Sequence, residues 1–96
     1  QTAAPPNSPT PFSPETWIPF DLADSASVTV DIYSPAGRVI RTIDLGRLPA
    51  GPYRDRSRAA YWDGRNATGE RVGSGVYLYR LRADGFSAIQ RMLILK

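Results

Sequence analysis

Wherever the apolar and polar positions of this chain show a period, that period is two. The clearest case is VYLYRLRA, in which Tyr77, Tyr79, Leu81 and Ala83 share one face and Val76, Leu78, Arg80 and Arg82 the other. A two-residue repeat is the signature of a strand with one face buried. SASVTVDIY repeats it, with Val28, Val30 and Ile32 set against Thr29, Asp31 and Tyr33. ETWIPFDL predicts a first strand over Thr16–Leu22 with Ile18, Phe20 and Leu22 on the core face. Pro19 denies that strand one ladder hydrogen bond and predicts an edge or a bulge. RVIRTIDLG predicts a return strand, but Val39, Arg41 and Ile43 alternate with Ile40, Thr42 and Asp44 without marking an inner face. RAAYW predicts a short strand ending at Trp62. In FSAIQRMLILK, Phe86, Ala88, Gln90, Met92 and Ile94 alternate with Ser87, Ile89, Arg91, Leu93 and Leu95. The end of that strand is apolar on both faces, which suits a strand that pairs with something further.

Turn chemistry separates these runs. Ser34-Pro35-Ala36-Gly37 places proline second and glycine fourth, as a type I turn prefers. Asp84-Gly85 is a favoured two-residue hairpin loop. Asp63-Gly64 and Thr68-Gly69 punctuate the stretch after Trp62, and the prolines and glycine of LPAGPYRDR predict a loop or an edge. No segment has a clean helical period, and no internal repeat is present. The expectation is an all-β fold, a small antiparallel Ig-like β-sandwich of about seven strands. QTAAPPNSPTP carries four prolines in eleven residues and reads as an extended Pro-rich linker over 1–11, with the domain over 12–96.

Composition mainly removes possibilities. Ninety-six residues make one small domain. There is no cysteine and no histidine, so thiol chemistry, Ser-His-Asp and Cys-His arrangements and histidine metal sites are excluded. The nine acidic residues stand singly at turns and strand ends, and a core this small predicts no deep pocket between a catalytic pair. The chain is expected not to be an enzyme and to need no cofactor or metal. The net charge of +3 comes from eleven arginines and one lysine, interleaved with Asp31, Asp44, Asp55, Asp63 and Asp84. That pattern is no phosphate-tracking stripe, so nucleic acid is not expected as a partner. No apolar window reaches about 18 residues, and membrane insertion is not expected. The polar, proline-rich start has no signal-peptide pattern and reads as the lead into a module of a longer protein.

Three groups of residues carry candidate chemistry. Tyrosine closes a small core while its hydroxyl reaches water or backbone, so the tyrosines fit core and rim packing; Tyr77 and Tyr79 could alternatively present a carbohydrate platform. Trp17, where linker becomes domain, is either a plug at one end of the sandwich or a partner-binding anchor. DGRNATGE offers Asp63, Asn66, Thr68 and Glu70 as oxygen donors but lacks the spacing of a calcium loop, and turn chemistry accounts for the same residues. Asn66-Ala67-Thr68 fits a glycosylation triplet, and VGSGV lacks the lysine and helix of a phosphate loop.

Four ordered motifs carry a family resemblance. PFSPETWIPFDL resembles the opening NPFNP-(S/T/E)-T-x-I-x-(F/Y)-x-L of C-terminal sorting domains of the type IX secretion system, an opening shared with the Ig-like domain of the flagellar hook-capping protein. VTVDIYSPAGRVIRTI, YWDGRNATGERVGSGVYLYRLRA and FSAIQRMLILK are similar to the motifs that follow in that family. Pro11 to Lys96 is covered. The resemblance implies an Ig-like sandwich acting as a sorting or surface-attachment module of a secreted or cell-surface bacterial protein, read by an outer-membrane secretion or anchoring component. It implies contact through Gly73, Gly75, Val76 and Tyr77 and through the terminal strand Met92, Leu93, Ile94, Leu95 and Lys96. A structural spacer in an extracellular or flagellar assembly is the alternative role, and a carbohydrate-binding or adhesion module, resting on Trp17 and the tyrosines rather than on the resemblance, is a third. The chain departs from the pattern at Ser13, where Asn is usual, at Gly73 before Ser74-Gly75, at Arg91, where Lys usually precedes Met92, and in the longer insert RLPAGPYRDRSRAAY.

Overall fold

The structure, a computed structural model, describes residues 15–95. The linker over 1–11, the domain boundary at Phe12 and the contact expected at Lys96 lie outside the described residues. Eight strands follow one another: β1 (Thr16–Ile18), β2 (Phe20–Leu22), β3 (Ala26–Tyr33), β4 (Val39–Leu48), β5 (Gly51–Tyr53), β6 (Ala60–Trp62), β7 (Gly75–Ala83) and β8 (Phe86–Ile94). All pairings are antiparallel. One layer is a four-stranded sheet in the order β4-β3-β7-β8; facing it are two short ribbons, β1 with β6 and β2 with β5.

The count of eight rather than seven has a local cause. Pro19 interrupts the expected first strand, so the chain pairs with β6 before it and with β5 after it. Its core face is nevertheless continuous: Ile18, Phe20 and Leu22 are all buried. The segment around Pro52, expected as loop or edge, supplies the three-residue β5 at the border of its ribbon.

The core lies between the layers. Val28, Val30 and Ile32 from β3 and Tyr77, Tyr79, Leu81 and Ala83 from β7 meet Ile18, Phe20, Tyr53 and Trp62. Phe20 and Tyr53 stack with centroids 4.8 Å apart, and Trp62 tilts against Tyr77 at 6.0 Å. The polar tips of these rings find backbone: Trp62 Nε1 donates to the Arg65 carbonyl at 2.9 Å, and the Tyr53 hydroxyl donates to that of Pro49 at 2.6 Å. Such bonds let amphipathic rings fill a small core without stranding a donor. Burial pushes the Tyr79 hydroxyl well above the ordinary tyrosine range.

Both hairpin turns form where the sequence places them. The Gly37 amide donates to the Ser34 carbonyl at 2.8 Å, and Gly37 takes a φ of +87°, closing the β3–β4 hairpin. Asp84 and Gly85 alone connect β7 to β8, since Ala83 pairs with Phe86. The face of β4 could not be read because its register slips twice against β3, between Val28 and Thr29 and between Ile32 and Tyr33. Each slip reverses the parity of the alternation.

Candidate functional site

The two borders of the four-stranded sheet are built differently. At β4 the strand carries both register shifts, and Gly46 has a φ of +72°. The 63–72 turn also docks onto it. The Ala67 amide donates to the Ile40 carbonyl at 2.8 Å, and Arg41 Nη1 donates to Asp63 Oδ1 at 2.9 Å and to the Arg65 carbonyl at 3.0 Å. Bulges, charge and a covering loop are the devices that close a sheet edge to further pairing. At the opposite border β8 pairs with β7 over nine residues without a register shift, and no described strand lies beyond it.

The docked turn is held by its own polar groups. Asp63 Oδ1 accepts from the Arg65 amide at 3.0 Å. Asn66 Oδ1 accepts from the amides of Thr68 and Glu70 at 3.1 and 3.0 Å. The oxygen donors noted in the sequence thus serve turn geometry. Burial works to raise the Asp63 pKa, but the Arg65 amide and the Arg41 guanidinium outweigh it and hold the carboxyl below its ordinary value.

Of the residues expected to contact a partner, the structure turns some inward. The side chains of Tyr77, Met92 and Ile94 are buried in the core, so only their backbone lies near the β7–β8 surface. The Tyr77 hydroxyl donates to the Gly73 carbonyl at 2.8 Å, anchoring the Gly73–Gly75 approach to β7, and burial raises its pKa. Gly75 is half-buried, and a Cβ there would stand 3.3 Å from Pro35 Cγ, so the β3–β4 turn packs closely against the start of β7. Outward lie Gly73, Val76, Leu93 and Leu95. Val76 and Leu93 are register partners, 48% and 41% exposed. Ile89, absent from the expected set, is 55% exposed on the same face. Strand parity was the signal for it, since Ile89, Arg91 and Leu93 share one face.

Trp17 is half-buried rather than part of the core. It sits on the outer face of β1 opposite Tyr61, their rings 5.4 Å apart, with the Arg56 guanidinium 4.3 Å above the indole. Trp62, by contrast, is fully buried in the core. Glu15 accepts from the Tyr61 hydroxyl at 2.6 Å, and this bond raises the tyrosine's pKa. The alternative carbohydrate platform at Tyr77 and Tyr79 is overturned, because both rings are in the core.

Comparison with known proteins agrees with this architecture. The FlgD Ig-like domain family matches residues 13–85. The basal-body rod modification protein FlgD of Salmonella typhimurium is 37% identical over 77 residues, 80% of this chain, and the Salmonella typhi protein matches equally. The chain spans 29% of the length of those relatives. The crystal structure of FlgD from P. aeruginosa superposes with a TM-score of 0.59 at 30% identity, covering 76% of this chain and 55% of that one. Dimeric latent PorU from Porphyromonas gingivalis shares the fold, with a TM-score of 0.67 at 19% identity over 96% of this chain and 9% of that one. The Salmonella, P. aeruginosa and Porphyromonas gingivalis relatives are bacterial proteins. The chain belongs to the FlgD Ig-like domain family.

Proposed function

We propose that the domain is a sorting or surface-attachment module of a secreted bacterial protein, read through β8 by an outer-membrane secretion or anchoring component. The observation that carries this reading is the contrast between the sheet's borders. β4 is bulged and covered, whereas β8 is regular and exposes Ile89, Leu93 and Leu95 beside Val76. A regular apolar border gives a partner strand both backbone pairing and a surface to bury. The inward set Met92 and Ile94 holds β8 to the core, and the side chains of Ile89, Leu93 and Leu95 face outward.

The test is to fuse residues 1–96 behind an exported reporter in a bacterium with type IX machinery. Removing the last residues would take Met92 and Ile94 from the core, so the informative variant is Leu93→Lys, which changes only the outward face. The reporter is expected outside the cell with the parent domain and inside with Leu93→Lys. A reporter held in the periplasm behind a folded parent domain would refute this reading for that machinery.

A second reading is favoured by the 37% identity to a basal-body rod modification protein: an Ig-like spacer in an extracellular or flagellar assembly. In that role Leu93→Lys would leave export unchanged. Trp17 with Tyr61 would then be the better-placed anchor for a neighbouring subunit, as an aromatic pair on an outer face.

A further inference from the structure

Two rows of side chains cross the outer face of the four-stranded sheet. One reads Val39, Tyr33, Leu78, Arg91 and the next Thr42, Asp31, Arg80, Ile89, each residue in register with the one before it. Residues paired in this way share a face and touch across the strands. Val39 and Ile89 are 53% and 55% exposed, and Tyr33 and Leu78 are half-buried between them. Val39 also borders a recess of 380 Å³, lined with Ile40, Arg41, Thr42 and Ala67, where the 63–72 turn docks against β4.

The charges of this face do not balance. Asp31 stands opposite Arg80 in register, but its carboxylate is engaged by others: Arg82 Nε donates at 2.8 Å and Nη2 at 3.2 Å, and Thr42 Oγ1 donates at 3.1 Å. Asp44 of β4 accepts from the Gly46 amide at 2.9 Å, and Asp63 of the docked turn holds Arg41. Arg80 is left to the Tyr33 ring, 5.8 Å from its centroid, and its Nε is buried without an acceptor. Neither Arg80 nor Arg91 forms an ion pair among the described residues. A guanidinium is a planar fork of donors that matches a carboxylate. A small free anion gains little on such a face, because water screens it. A protein surface that also covers Val39, Tyr33 and Leu78 excludes that water and strengthens the pair. A second copy of this chain is a poor occupant, since its own face would set guanidiniums against guanidiniums.

We propose that this sheet face docks an acidic-apolar surface of another protein, with an apolar side chain in the recess beside Val39 and a carboxylate on Arg80. The two contacts are two strand spacings apart, about 10 Å. The surface needs no free strand border, so it goes beyond the sorting reading and is independent of it.

The experiment uses the 96-residue chain, nitrogen-15 labelled, and blocked synthetic peptides. In these, leucine is followed three residues later by glutamate, glutamine or lysine, about 10 Å away in an extended chain. The glutamate peptide is expected to shift the backbone amides of Tyr33, of residues 39–42 and of residues 78–80. It is expected to bind roughly fivefold more tightly than the lysine peptide, an advantage that shrinks in high salt. Arg80→Gln is expected to erase that difference, and Val39→Ser, on an exposed position, to weaken all three peptides alike. Should Arg80→Gln fail to fold, the salt dependence tests the charge on the parent. Equal binding of the glutamate and lysine peptides by the parent, shifts confined to other faces, or no binding at millimolar concentration would each overturn the proposal. So would sedimentation showing dimers of the parent that Val39→Ser disperses.

Discussion

Adjacent residues in β8 provide the sharpest test of its register. Ile94 is 1% exposed and Leu93 41%, so truncating each to alanine removes the same three carbons from opposite faces. For Ile94→Ala, three carbons at about 0.8 kcal/mol each give ~2.4 kcal/mol of lost transfer energy. The cavity left among Tyr77 and its neighbours adds to this, for a total of about 3 kcal/mol. For Leu93→Ala the lost contacts are with the partly exposed Val76, and the cost is about 1 kcal/mol or less. At about 4–8 °C per kcal/mol for a domain of this size, the first variant loses ~12–24 °C in Tm and the second a few degrees. Urea unfolding followed by tryptophan fluorescence reports both, and an unchanged m-value confirms that the same surface is exposed on unfolding. A Leu93→Ala cost equal to that of Ile94→Ala would place β8 one residue out of register. The division between core and contact residues would then collapse, and the assignment of Leu93 to recognition with it.

Other outcomes follow from individual groups. Tyr79 has a folded pKa raised by burial; its contribution is intact below the unfolded tyrosine value near ~10 and is lost as pH rises above it. The urea midpoint should therefore fall between about pH 9 and pH 11, and Tyr79→Phe should flatten that limb. Asp63 has a lowered folded pKa, so its contribution is present above about pH 4 and fades as pH falls through the folded value. Asp63→Ala should cost roughly 1–2 kcal/mol at neutral pH by releasing the Arg65 amide and Arg41, and should weaken acid sensitivity; urea titrations at neutral and acid pH check this. At Gly37 the φ of +87° is the obstacle, since a methyl group there would meet nothing within 4 Å. Gly37→Ala is expected to cost about 1 kcal/mol in equilibrium unfolding, through backbone strain alone.

Much of the fold was legible because its signals are local. β3 and β7 keep strict alternation, and the turns at Ser34–Gly37 and Asp84-Gly85 are specified by the residues in them. What escaped depends on partners distant in sequence. The exchange of β6 for β5 at Pro19 is decided by which strands return to that layer. The face of β4 is hidden because each bulge inverts the parity that would reveal it. At the candidate site, parity already put Tyr77 with Tyr79 on one face, and the structure makes that face the inner one. The resemblance marked contiguous residues, whereas a strand presents only alternate ones to a partner. Trp17 was open to two interpretations because its neighbours Tyr61 and Arg56 come from elsewhere in the chain.

Among the described strands, the two borders of the four-stranded sheet differ: β4 is bulged and partly covered, and β8 is regular. The bulges of β4 and the turn fastened to Ile40 make that border a poor template for a second chain. Under the proposed function, a partner engaging the β8 side would find no regular border on the far side from which to recruit the next domain, and head-to-tail stacking would stop at the first step. Many copies crowded on a cell surface would each hold a single guest without being stitched into fibres. One bulged and covered border would suit the proposed module to engaging a single partner at a time.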